Sequence, residues 1–188
     1  VLAEYTKNLT GGVHNLFIDN EHAYVLGSGE RYYILNIEDP SNPVEVGMFE
    51  LGKEGQSIHD VWIEDGIAYS SNWKDGVYLV DVGNGIAGGS PSNPVAFADY
   101  TYASGANHAA FPFKSKSTGT FYVVLCDEIF PNGVDLTEPS ITAGFCYFVD
   151  FPHLENPVEV AKFVVPVTGS HHLLVEDDVL YVAMYGGG

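Results

Sequence analysis

The sequence predicts an all-β chain, part of a β-propeller built of four-stranded antiparallel blades. Three observations lead there. First, histidine recurs at one place in a repeating unit: His14 in GVHNLFIDNEHAYV, His59 in SIHDVWIEDGIAYS, His108 in ANHAAFPF and His171 in SHHLLVEDDVLYV. His14–Tyr24, His59–Tyr69 and His171–Tyr181 share a spacing of ten residues, and in the third unit KSKST stretches the distance to Tyr122 to fourteen. Second, the apolar runs are short, rich in Val, Ile, Tyr and Phe, and bounded by turn residues, which is how strands read. Third, successive histidines lie 45, 49 and 63 residues apart, the size of a propeller blade, with the third step lengthened by inserted loops, chiefly 127–143. A β-sandwich is the alternative, but it does not call for one four-part unit recurring in step.

Each unit has the same order of parts. A His-led apolar run (HDVWI) comes first, then a tight turn (DNEH in the first unit, EDG in the second), then a second run such as AYVLG or FYVVL. A polar, Gly-rich stretch leads to a third run that ends in an acid or its amide: YYILNI, GVYLVDV, CYFVDF. An Asn-Pro turn follows (DPSNPVEV, SPSNPVAF, HLENPVEV), and a fourth run ends near Phe49, Tyr100 or Phe163. No long stretch keeps a 3.6-residue apolar period, so essentially no helix is expected. VLAEYT at 1–6 parallels VAFADYT at 95–101 and reads as the end of a blade over 1–13. Blades then begin near His14, His59 and His108, and an incomplete one begins at His171. The whole of 1–188 reads as one partial propeller domain belonging to a longer polypeptide.

GVYLVDV (76–82) with its following SPSNPV resembles the LVIVD repeat. HNLFIDNEHAYVLGS, DPSNPVEVGMF, SIHDVWIEDGIAYSSNW, GANHAAFPF and LCDE together are similar to the LVIVD-repeat proteins grouped with choice-of-anchor B domains, over nearly the whole chain. The third repeat departs from that pattern, with GFCYFVD after a long loop. The resemblance implies a β-propeller in an exported, often surface-attached prokaryotic protein, and carries no defined reaction.

Composition narrows the partners. Lys and Arg total 7 against 25 Asp and Glu, a formal charge of −18. Nucleic acid needs a basic patch and is excluded as a partner. No apolar run is long enough for a spanning helix, so no membrane insertion is expected in this segment. Cations, small molecules, glycans or proteins are the expected ligands, and acidity also keeps an exported or salt-adapted protein soluble.

In a propeller the His-led strand is innermost. Strands alternate in direction, so the entry to the first strand and the loop from the second to the third share one face. That places His14, His59, His108 and His171 at a mouth of the central channel, beside Gly27–Gly29, Asn72–Asp75, Asp127–Glu128 and Tyr185–Gly186. A concave polar mouth is where a ligand is expected. Three readings of the ring stay open. Converging imidazoles suit a transition metal, with Asp60, Asp127 or Glu128 orienting them. An organic or glycan ligand would be held by His with Asn15, Asn72, Asn107, Trp73 and Tyr185. A purely structural ring would use each His to staple neighbouring blades. His172 should point away from His171, because successive strand residues face opposite sides. His22 and His153 read as solvated turn residues.

Other chemistry is thinly supported. Asp127, Glu128, Asp135 and Glu138 in the 127–139 loop offer oxygens for Ca²⁺, without the D-x-D-x-D-G order. The Gly-rich GSGE (27–30) and GNGIAGG (83–89) open no helix, so they do not read as phosphate cradles. Ser57, Ser104 and Ser170 precede histidines but sit in no nucleophile elbow. Asp60 and Glu128 are the carboxylates that a glycosidase reading would use. Cys126 and Cys146 should face each other on neighbouring strands, either as a cross-strand disulfide or as two buried thiols; no C-x-x-C motif is present. The expected function is an exported or cell-surface binding or scaffolding module. The alternative is a metal-dependent enzyme with the four histidines as ligands and Asp127 or Glu128 as general base.

Overall fold

A computed structural model describes residues 1–9, 11–27, 29–52, 57–102, 106–128, 144–154, 156–166 and 168–185. The chain is all-β, made of blade-like four-stranded antiparallel sheets of the β-propeller type. The first sheet runs in order through β1 (Asn15–Asp19), β2 (His22–Leu26), β3 (Arg31–Asn36) and β4 (Val44–Glu50). The second comprises β5 (Asp60–Glu64), β6 (Ile67–Ser71), β7 (Val77–Asp81) and β8 (Val95–Tyr100). The third comprises β9 (Asn107–Lys114), β10 (Phe121–Asp127), β11 (Cys146–Asp150) and β12 (Val158–Phe163), and β13 (Gly169–Glu176) pairs with β14 (Val179–Tyr185). Every sheet is an up-and-down meander, which separates it from the Greek-key pairing of a sandwich. The helical content among the described residues is one 3₁₀ turn, Pro152–Leu154.

Two compact units share these strands: residues 1–73 with 78–99, and 74–77 with 100–188. In the first, β1 lies beside β5; in the second, β9 lies beside β13. Side-by-side first strands are what a blade arrangement requires. The first unit's core joins the two facing sheets through Tyr24, Leu26, Tyr32, Ile34, Ile58, Val61 and Val80. At ~25 cal/mol per Å² of apolar surface removed from water, such side chains contribute about 1.5–3 kcal/mol each. Residues 1–6, expected to end a blade, carry no strand. Tyr5 and Leu9 instead pack on Ala23, Val25 and Leu35, and the Tyr5 hydroxyl donates to Glu45.

The repeat extends to fine detail. Between β5 and β6, Asp65 and Gly66 both have positive φ (51° and 72°) and link the paired Glu64 and Ile67. This is the two-residue turn whose twist suits a hairpin, and Asp-Gly is its preferred sequence. Asp177 and Asp178 do the same between Glu176 and Val179. A β-bulge falls at Ile34/Leu35 on β3 and again at Phe148/Val149 on β11, skipping Val46 and Val160 at equivalent places in NPVEV.

The acid that ends the third run has a concrete task. Asp81 is fully buried, and its carboxylate accepts the amides of Gly83 (3.0 Å), Gly85 (3.1 Å), Ala87 (2.8 Å) and Gly89 (3.0 Å). The Gly-rich stretch 83–89 is thus wrapped around a carboxylate of its own chain. Asn36 takes the Glu38 amide at 3.1 Å in the first sheet. In DPSNP, Asp39 accepts the Ser41 amide at 2.9 Å, as the turn chemistry predicts.

Burial works against ionisation of Asp81, but the four amides outweigh it and hold the carboxyl far below its ordinary 3.8. A folded-state pKa below the unfolded one stabilises above the unfolded value, and that stability drains as pH falls beneath it. Asp81→Asn should therefore cost about 2–3 kcal/mol at neutral pH, since an amide cannot accept all four bonds. Urea unfolding should show the gap between variant and parent narrowing as pH drops below 3.8. An equal gap at all pH values would refute the assignment.

Candidate functional site

His14 and His59 open their sheets in the same way. The His14 amide donates to the Leu26 carbonyl at 2.8 Å, and the His59 amide donates to Ser71 at the same distance. These equivalent bonds close the entrance of the first strand onto the end of the second. Each imidazole is thereby set at the mouth of its sheet, beside the loop to the third strand.

In the first unit the rings touch. Nε2 of His14 and Nε2 of His59 are 3.4 Å apart, with ring centroids at 4.5 Å. Trp73 lies against His59 at 4.2 Å. Its φ of 49° is left-handed, a conformation that costs a non-glycine residue roughly 1–2 kcal/mol and is held here by its neighbours. One residue further along each strand, the Asn15 amide donates to Asp60 across adjacent sheets. The Ile58 amide also reaches the Gly29 carbonyl of the neighbouring sheet at 3.0 Å. Backbone and Asn–Asp contacts thus join these blades. Asn72 is fully buried and turned inward, donating to the Ser70 carbonyl at 2.7 Å and accepting the Ser70 hydroxyl at 2.9 Å.

In the second unit the cluster is larger. His108 is 4% exposed. Its Nδ1 lies 3.0 Å from Oε2 of Glu128. The other carboxylate oxygen is 3.8 Å from Nε2 of His171 and accepts the Tyr185 hydroxyl at 2.7 Å. That hydrogen bond, helped by burial, pushes the Tyr185 phenol up to about 12. The rings of His108 and His171 lie against each other, tilted, with centroids 3.9 Å apart. His172 also joins: its ring is 5.5 Å from His108 and 5.9 Å from His171. This corrects the alternation argument, which sent His172 to the other side of the strand. The pairing of β13 with β14 slips between Ser170 and Leu173, and a bulge lets two consecutive side chains face one way.

The remaining expectations resolve individually. Asp127 is buried and accepts the Tyr102 hydroxyl at 2.6 Å, so it serves the interior rather than the mouth. The Ser170 hydroxyl is buried among Asp127 and Phe145 backbone groups at 3.1–3.2 Å, and Ser57 faces the Gly29 carbonyl at 3.5 Å. Neither hydroxyl is paired with a histidine by these bonds. His22 begins β2 opposite Asn36 instead of lying in a turn. Asp135 and Glu138, the core of the Ca²⁺ reading, and Ser28, Ser104, Gly186 and the side chain of His153 lie outside the described residues. No helix among the described residues is long and apolar enough to cross a membrane.

Cys126 and Cys146 are direct Cα partners and stand as buried free thiols. The Asp127 amide donates to the Phe145 carbonyl. The cysteines therefore occupy the adjacent, non-hydrogen-bonded position, where Cα atoms are ~4.5 Å apart. That separation is within disulfide range, so the thiols are poised for bonding without being bonded. Gly144, two residues before Cys146, has φ of 73°, and a Cβ there would come 2.6 Å from the Asp127 carbonyl.

Burial predicts that a thiol reagent finds almost no reactive sulfur in the folded chain and two equivalents after denaturation without reductant. Zero equivalents in denaturant would instead mean that the pair is oxidised. For the Glu128 network, Tyr185→Phe removes one hydrogen bond and should cost about 0.5–1.5 kcal/mol in chemical denaturation; an unchanged midpoint would show that the bond contributes nothing. No family model matches this chain, and no curated protein matches it.

Proposed function

We propose that this chain is a binding or scaffolding module of an exported, cell-surface β-propeller protein, and that it takes its ligand at the histidine-bearing mouths of its sheets. The observation that carries this reading is the equivalent placement of imidazoles at strand entrances, partly open to solvent, with an aromatic side chain against each group: Trp73 on His59 and Tyr185 on His171. Rings of this kind bind planar, polar or cationic ligands. The formal charge of −18 favours the cationic ones. The LVIVD-type repeat residues support an exported location and a surface role. Catalysis has less behind it, because Ser57 and Ser170 face backbone groups.

A metal-dependent enzyme is the second reading, favoured by Glu128 standing between His108 and His171. There Glu128 would be the general base. Asp127 fits that role poorly, being buried against Tyr102.

The full chain should be screened by thermal shift against divalent cations and oligosaccharides. Ligand at about a hundredfold its Kd stabilises by about 2.7 kcal/mol, which raises Tm by a few degrees. The shift should shrink in a His59→Ala/Trp73→Ala or a His171→Ala/Tyr185→Phe background. If these variants lower the Tm of the ligand-free chain and leave every ligand-induced shift intact, the histidines are architectural and the binding reading fails.

A further inference from the structure

We propose that the mouth of the second unit is a transition-metal site, with His108, His171 and His172 as ligands and Glu128 as the carboxylate that orients His108. This rests on the binding reading above and names its ligand class.

Geometry comes first. One potential ligand atom from each of the three histidines lies within 4.8 Å of the others. Ligand nitrogens around a tetrahedral ion at ~2.0–2.1 Å stand about 3.3 Å apart. Contraction of roughly an ångström and a half closes that difference. The side chains that must move are able to: His171 is 34% exposed and His172 is exposed. His108 is the fixed, buried member. The cluster is therefore anchored on its inner side and open on its outer side, as a site that admits an ion from solvent must be.

Glu128 supplies the second element. Metal-bound histidines commonly give their other ring nitrogen to a carboxylate, which sets the tautomer and raises ligand basicity. Glu128 stands 3.0 Å from Nδ1 of His108 and is itself fixed by the Tyr185 hydroxyl. Nδ1 facing the carboxylate makes Nε2 the nitrogen that would meet an ion. The third element is the bulge at Ser170/Leu173. A regular strand would send His172 to the far side and leave two imidazoles; the slipped register delivers three. Three imidazoles and no thiolate suit Zn²⁺, Co²⁺, Ni²⁺ or Cu²⁺ rather than Ca²⁺ or Mg²⁺, which take oxygen ligands.

The composition of the set also departs from the repeat. His14 and His59 occupy the same repeat positions as His108 and His171; their rings lie against each other, and Trp73 lies against His59. His172 has no counterpart in the other units, where Asn15, Asp60 and Ala109 follow the histidine. The second unit alone therefore carries the third imidazole.

The test uses the full chain, Zn²⁺ in calorimetry and Co²⁺ in visible absorption. One ion per chain is expected, with the intense absorption of tetrahedral Co²⁺. His172→Ala, an exposed change that leaves the fold alone, should weaken binding at least tenfold, and His171→Ala should do the same. Glu128→Gln should weaken it about 10–100-fold. His22→Ala, on β2 and outside the cluster, should bind like the parent. Since His108→Ala empties a buried position, His108→Gln serves as its check, with circular dichroism confirming the fold. Absence of saturable binding by the parent, or binding indifferent to His172→Ala, overturns the proposal. Should Zn²⁺ fail while His171→Ala still abolishes a thermal shift produced by an oligosaccharide, the metal assignment falls and the binding module stands. Should no variant alter any ligand's effect, both fall.

Discussion

The entrances of the first two sheets depend on one backbone constraint. The amide just before β1 is tied to the carbonyl that ends β2, His14 to Leu26, and the amide just before β5 to the carbonyl that ends β6, His59 to Ser71. That bond fixes which residue stands at the mouth. Because a strand's side chains alternate, a shift of one residue would send the imidazole to the opposite face. The tight turns at the other end, Asp65-Gly66 and Asp177-Asp178, lock the same register from behind. The position of each histidine is thus a consequence of hairpin length, and the repeat in sequence is a repeat in register.

Acidic residues explain much of the rest. With 25 Asp and Glu in the chain, several have structural work that could be mistaken for ligand chemistry. Asp81 holds a Gly-rich loop through four amides, and Asp178 takes the Lys116 and Ser117 amides at 2.9 and 2.8 Å, tying the 115–120 turn to the hairpin beside it. Both carboxyls are held below their ordinary range by those amides. Asp127 accepts the Tyr102 hydroxyl. Glu128 differs from them, because its partners are imidazoles and a phenol at a solvent-facing mouth. Its neighbours, more than its charge, single it out.

The two units use the same repeat differently. One sets His14, His59 and Trp73 in contact, an aromatic arrangement suited to a flat or cationic group. The other gathers three histidines, with Glu128 beside His108 and His171. A repeat supplies equivalent places, and substitutions at single positions then decide what each place does. Trp73 and His172 are those substitutions here.

The sequence by itself determined the class of fold, the four-part unit, the turns and the histidine positions. These follow from local rules: β-branched and aromatic runs, Asp-Gly and Asn-Pro turns, and a spacing that survives from unit to unit. It also brought Cys126 and Cys146 to opposite places on neighbouring strands. Only the tertiary structure decided which polar residues turn inward. Asn72 and Asp127 read as mouth residues by position, yet they bond to Ser70 and Tyr102 in the interior. It alone decided that His172 joins His108, since a bulge is a property of two paired strands and leaves no mark in one of them. Side-chain partnership is set by what folds back from tens of residues away, and alternation along a single strand carries no record of that.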